Sequence, residues 1–124
     1  MRPRIVLAED YRLLAEVLQA VLEDAGYEVE VAADPEGVTE AAREPVELFV
    51  LDGQLARSEP FAAVEALARL ELEPRPPILV LSGDASAEAR VRAAELGADA
   101  YLVKPCSSDE LVETAGRLVA RAAA

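Results

Sequence analysis

Five times along this chain a short apolar run is followed by a segment whose apolar residues recur at helical spacing. The runs are RIVLA (Arg4 to Ala8), YEVEVA (Tyr27 to Ala32), VELFVL (Val46 to Leu51), PPILVLS (Pro76 to Ser82) and AYLV (Ala100 to Val103). After the first, Leu13, Leu14, Val17, Leu18, Val21 and Leu22 mark a helix that Gly26 stops. DPEGVTEAARE opens the second helix, with Asp34 at the N-cap and Pro35 as its first residue. FAAVEALARLE predicts the third, SAEARVRAAELG the fourth with its end at Gly97, and SSDELVETAGRLVARAA the fifth. In the fifth, Ser107 and Glu110 read as a capping box. Strict strand–helix alternation leaves few folds open. Parallel strands need helical crossovers, and the crossovers cover both sheet faces. The expectation is an α/β, (βα)5 three-layer sandwich around a five-stranded parallel sheet, with residues 1–124 as one domain. The third and fourth runs are continuously apolar, as strands covered on both faces should be.

Composition removes several classes of chemistry. The net charge of −12 argues against direct contact with nucleic acid, whose phosphates demand basic patches. No apolar run reaches the roughly 18–20 residues of a membrane span, and no signal peptide opens the chain. A single cysteine, Cys106, forbids an internal disulfide and suits a reducing, cytoplasmic setting. There is no histidine, hence no Ser-His-Asp or Cys-His couple and no imidazole metal site.

In an open α/β sheet, ligands bind beyond the carboxyl ends of the strands. The first run delivers Glu9 and Asp10 there, the third Asp52, the fourth Ser82, and the fifth Lys104 followed by Pro105. Singly, each has an ordinary explanation: Asp52–Gly53 is turn chemistry, Ser82 a helix-entry hydroxyl, Lys104 a solvated charge. Jointly they are costly. Two carboxylates about 5 Å apart repel by roughly 3 kcal/mol at an effective dielectric of about 20. A small hard cation relieves that repulsion, and an all-oxygen donor set suits Mg²⁺. A nucleophilic carboxylate beside Mg²⁺, with a lysine and a hydroxyl to receive anionic oxygens, describes phosphoryl transfer to aspartate.

With VLAED, LFVLD, ILVLS and GADAYLVKP in this order, the chain resembles the receiver domain of two-component response regulators over essentially its whole length. The resemblance implies a flavodoxin-like sheet of order 2-1-3-4-5. It implies Asp52 as phosphoacceptor, and Glu9, Asp10, Asp52 and the backbone carbonyl of Gln54 as Mg²⁺ ligands. Lys104 would contact the phosphoryl group, Ser82 would move toward it, and the rotamer of Tyr101 would follow. That pair would carry the signal to the face made by the fourth helix, fifth strand and fifth helix, although an aromatic on an edge strand also simply covers a core. The implied partners are a histidine kinase or histidine phosphotransfer protein upstream and an effector protein or output domain downstream. Dimerisation through the signalling face stays open. So does the choice between a stand-alone regulator and the N-terminal part of a longer one.

Four departures stand out. Family members usually carry proline four residues after the acceptor and glycine four beyond that; here Ala56 and Pro60 hold those places. Gly53 replaces the usual apolar residue directly after the acceptor, and Cys106 stands where an aromatic often follows Lys-Pro. A looser loop with an altered Gln54 carbonyl is the expectation. Gln54 and Asp84 hold the two variable positions that tune phosphoryl lifetime in the family. These departures keep a second hypothesis open, a phosphorylation-independent interaction module on the same fold. An aspartate-nucleophile phosphatase is the third, and Gln54 opposes it because an amide has no proton to give a leaving group.

Overall fold

The computed structural model describes residues 1–55 and 57–124. Five strands alternate with five helices: β1 Arg4–Ala8, α1 Arg12–Asp24, β2 Glu28–Ala32, α2 Pro35–Ala41, β3 Leu48–Asp52, α3 Ala62–Leu70, β4 Ile78–Ser82, α4 Ala87–Leu96, β5 Ala100–Val103 and α5 Ser108–Ala123. The strands form one parallel sheet in the order β2-β1-β3-β4-β5. This is the flavodoxin-like arrangement expected, with β2 and β5 at the edges.

Strand periodicity divides the core in two. Ile5, Leu7, Leu48, Val50, Leu79 and Leu81 point to one face, where Leu18 and Leu22 of α1 and Leu111, Ala115 and Leu118 of α5 cover them. The alternate residues Val6, Ala8, Phe49, Leu51, Ile78 and Val80 face the other way, against Val38 of α2, Val64 and Leu67 of α3, and Ala89 and Ala93 of α4. All ten residues of β3 and β4 are buried. Continuous apolar strands and double coverage are thus one fact seen twice.

The local signals act as the sequence predicts, with small shifts. Asp34 accepts the Gly37 N–H at 2.7 Å, and Ser107 accepts that of Glu110 at 3.0 Å. The second bond is the Ser107 half of the expected capping box, without the reciprocal bond to the Glu110 carboxylate among the described residues. Gly26 and Gly97 end their helices at φ 105° and 119°, in the left-handed region that glycine enters without a Cβ penalty. Tyr27 lies outside β2, because its N–H is taken by Leu22 of the preceding helix end. β3 starts at Leu48, not Val46, and extends to Asp52, so the acidic residue is held by the ladder. Phe61 and Glu71 flank α3 as caps, both left-handed. Ala56, singled out in the loop comparison, lies outside the described residues.

Candidate functional site

The backbone ladder continues one residue past the strands and so fixes the site's first atoms. Glu9 N–H donates to Ala32 O at 3.1 Å, Gly53 N–H to Leu81 O at 2.7 Å, and Lys104 N–H to Ser82 O at 2.8 Å. Each loop that carries a charged group is thereby tied to the next strand.

The side chains meet above these ties. Carboxylate oxygens of Glu9, Asp10 and Asp52 lie within 4.8 Å of one another. Lys104 Nζ sits 2.7 Å from Glu9 Oε1 and 3.1 Å from Asp52 Oδ2, bridging the two. Glu9 is only 3% exposed and Asp52 9%, whereas Asp10 faces solvent. Tyr11 N–H donates to Glu9 Oε2, and Gln54 N–H donates to Asp52 Oδ1 at 3.0 Å. Asp52 is therefore gripped on both oxygens, one by a backbone N–H and one by an ammonium.

Burial, helped by the negative charge of Asp52, pushes the Glu9 carboxyl above its ordinary range, although Lys104 and the Tyr11 N–H pull it down. For Lys104, burial opposes the charge, but the hydrogen bond to Glu9 and the two carboxylates together outweigh it, so its ammonium is held above the ordinary lysine value. The chemical sense is a partly buried anionic cradle with one cation inside it. Among the described residues, this trio is the one group of metal-ligating side chains so placed. Its all-oxygen donors fit a hard divalent ion, which would take over the neutralisation that Lys104 alone provides.

Ser82 and Tyr101 form a second group beside the first. The Asp84 N–H donates to Ser82 Oγ at 3.1 Å, and the Tyr101 hydroxyl donates to the Asp84 carbonyl at 2.6 Å. One residue of the β4–α4 loop thus spans the pair. The Asp84 carboxylate accepts the Ser86 N–H at 2.9 Å, which holds it below the usual carboxylate range. Arg90 lies over the Tyr101 ring, 5.2 Å from its centroid. Tyr101 also packs against the core, so the covering role weighed for it is real.

The loop after Asp52 has internal ties. The Gln54 side-chain amide donates to Ser58 O at 2.7 Å and to Leu55 O at 3.3 Å, and Leu55 is buried. Phe61 N–H reaches back to Gly53 O at 2.8 Å. The Gln54 side-chain amide is thus bonded within the loop. Cys106 leaves an apolar cleft of about 320 Å³ with Leu14, Leu18, Leu81, Lys104 and Pro105. Burial and the nearby Glu110 push its thiol up, away from reactivity.

The structure therefore gathers Glu9, Asp10, Asp52 and Lys104 at one point and sets Ser82 and Tyr101 alongside. Sequence reasoning missed Phe61. Its signal was present: an apolar residue missing at Gly53 invites one to fill the space from elsewhere.

The family model for the response regulator receiver domain matches residues 5–116. Transcriptional regulatory protein DltR of Streptococcus agalactiae is 32% identical over 110 residues, covering 88% of this chain and 48% of that protein. Transcriptional regulatory protein CpxR of Escherichia coli is 33% identical over 109 residues, 88% of this chain and 46% of that protein. The chain spans about half the length of these relatives. Among solved structures, the receiver domain of sensor histidine kinase PA1611 from Pseudomonas aeruginosa superposes with a TM-score of 0.85 at 27% identity, over 97% of this chain and 99% of that one. That crystal holds a magnesium ion coordinated in the active-site cleft.

Proposed function

Because this chain belongs to the response regulator receiver family, a family of two-component signalling proteins, we propose that residues 1–124 act as one receiver domain phosphorylated on Asp52. The donor is the phosphohistidine of a partner kinase or phosphotransfer protein, and the setting is the cytoplasm. The observation that carries this reading is the Glu9–Lys104–Asp52 bridge beside Asp10. A cluster kept at such electrostatic cost needs a use, and phosphoryl chemistry supplies one.

Glu9, Asp10, Asp52 and the Gln54 carbonyl would hold Mg²⁺. When bound, the ion supplies charge neutralisation for the phosphoryl oxygens. The chain's own groups do the rest. The Asp52 carboxylate forms the new O–P bond while the donor's N–P bond breaks and the imidazole keeps the electron pair. Gln54 N–H orients the acceptor through Oδ1. Lys104 exchanges Asp52 Oδ2 for a phosphoryl oxygen, and its contact with Glu9 keeps it within reach. Ser82 gives its hydroxyl to another phosphoryl oxygen and releases the Asp84 N–H. Tyr101, bonded to the same residue, follows, and the α4–β5–α5 face changes its affinity for an effector or output domain. The domain itself, at net charge −12, does not bind nucleic acid.

Incubation with Mg²⁺ and acetyl phosphate should add one phosphoryl group by intact mass, and Asp52→Asn should abolish it. No uptake by wild type refutes the reading. The altered loop supports one rival, an interaction module that ignores phosphorylation. It predicts equal partner binding by wild type and Asp52→Asn, with or without phosphodonor.

A further inference from the structure

Gly53 and Phe61 stand at opposite ends of the loop between β3 and α3, and they are complementary in volume. A Cβ on Gly53 would lie 3.0 Å from Phe61 Cε1, 3.0 Å from Ser82 Cβ and 3.1 Å from Ser82 Oγ. The phenyl ring thus packs over the backbone immediately after Asp52, where a side chain at 53 would otherwise go. Phe61 is 6% exposed. The same ring also meets Tyr101 edge-to-face, with centroids 6.4 Å apart and planes at 66°.

The backbone at Phe61 is strained. Its φ of 62° and ψ of 21° lie in the left-handed region that bulky residues rarely enter. The closing hydrogen bond to Gly53 O holds it there. Strain kept at such a place, with a glycine opposite that makes room for the ring, points to a functional constraint.

We propose that Phe61 is a positioning residue of the switch, whose ring passes displacements of the Gly53 backbone and of Ser82 on to Tyr101. The use of this link in signalling rests on Asp52 as phosphoacceptor, whereas the link itself is a property of the resting protein. Ser82 has a polar route to Tyr101 through the Asp84 backbone. Phe61 adds a packed route, so Gly53, Phe61, Tyr101, Asp84 and Ser82 close into one ring of contacts. Groups at van der Waals contact in a dense interior transmit strain instead of absorbing it. With the phenyl ring present, the Tyr101 position reports on the backbone beside the acceptor. With a smaller side chain, that report is lost.

The test is ¹⁹F NMR on the chain labelled with 3-fluorotyrosine, in which Tyr11, Tyr27 and Tyr101 are the three labelled sites. Tyr101→Phe assigns the line. Without phosphodonor, Gly53→Ala should displace the Tyr101 line, and the same substitution in the F61L background should displace it less than half as far. With Mg²⁺ and acetyl phosphate, F61L should take up as much phosphoryl group as wild type, yet move the Tyr101 line less than half as far. Phe61→Met replaces F61L if the latter fails to fold. An undiminished Gly53→Ala displacement in the F61L or F61M background overturns the proposal. Failure of phosphoryl uptake in every variant would instead sink the phosphoacceptor reading, and the Gly53→Ala comparison would still decide the role of Phe61.

Discussion

Replacing Asp10 by Asn should stabilise the metal-free protein and destabilise it, relative to wild type, once Mg²⁺ is added. The carboxylate oxygens of Glu9, Asp10 and Asp52 lie within 4.8 Å of one another. At that separation and an effective dielectric of about 20, each pair repels by about 3.5 kcal/mol. Lys104 offsets the charges of Glu9 and Asp52 at 2.7 and 3.1 Å, and among the described residues no cation lies within ion-pair reach of Asp10. Asp10 faces solvent, so water screens most of its share. A net relief of about 1 kcal/mol on neutralisation is what survives that screening. Mg²⁺ at 100 times its dissociation constant stabilises wild type by about 2.7 kcal/mol through mass action. A hundredfold weaker site at the same concentration stabilises the variant by about 0.4 kcal/mol. The order of stability therefore reverses, with the variant about 1 kcal/mol ahead in EDTA and about 1.3 kcal/mol behind in Mg²⁺. Thermal melts of both proteins with and without Mg²⁺ read this as crossing Tm values. Equal Mg²⁺-induced shifts in the two proteins would refute the assignment of Asp10 to the cation cradle, and with it the electrostatic argument for the site.

Lys104→Met removes the cation between two nearly buried carboxylates; a fully buried pair would lose about 3–5 kcal/mol, and the 23% exposure of the lysine side chain brings this to about 2–3 kcal/mol at pH 7. The raised Glu9 carboxyl fixes the sign of the pH dependence: its contribution favours folding when protonated, fully so below its unfolded value of 4.5, and is lost as pH rises through the folded value. Without Lys104 the carboxyl moves up further, so urea titrations in EDTA should show the deficit shrinking from pH 7 to pH 5, and a pH-independent deficit would contradict this account. In wild type, the raised Lys104 ammonium contributes stability that is complete below 10.5 and fades as pH climbs through its folded value. Glu71→Gly should raise stability by about 0.5–1 kcal/mol, because Glu71 is exposed and caps α3 at φ 51° and ψ 46°, a conformation that glycine adopts without a Cβ clash. The melting temperature should rise by about 2–5 °C, and an unchanged or lower value would argue against strain at that cap.

Much of the architecture was legible because its determinants are local. Helical spacing, N-caps at Asp34 and Ser107, and stops at Gly26 and Gly97 act within a few residues, and all were found where the sequence placed them. The boundaries at Tyr27 and Phe61 shifted where a residue outside the expected element took the backbone N–H, Leu22 in the first case and Gly53 in the second. Tyr27 belongs to the end of α1, and Glu47 donates to Arg4 O just before β3 begins. The loop after Asp52 was expected to be loose because Ala56 and Pro60 break the family pattern. Its described residues carry hydrogen bonds from the Gln54 amide to Ser58 O and from the Phe61 N–H to Gly53 O.

By itself, the order of apolar runs and helical segments determined a parallel sheet covered on both faces, and hence that the residues ending its strands share one rim. That inference needs only periodicity and chain direction, both written in neighbouring residues. Which groups on the rim touch was decided by tertiary structure alone. Lys104 meets Glu9 across 95 positions of sequence, Asp84 joins Ser82 to Tyr101, and Phe61 fills the space left by Gly53. Such contacts depend on strand register, side-chain rotamer and the volume of remote partners, and no local pattern encodes those quantities.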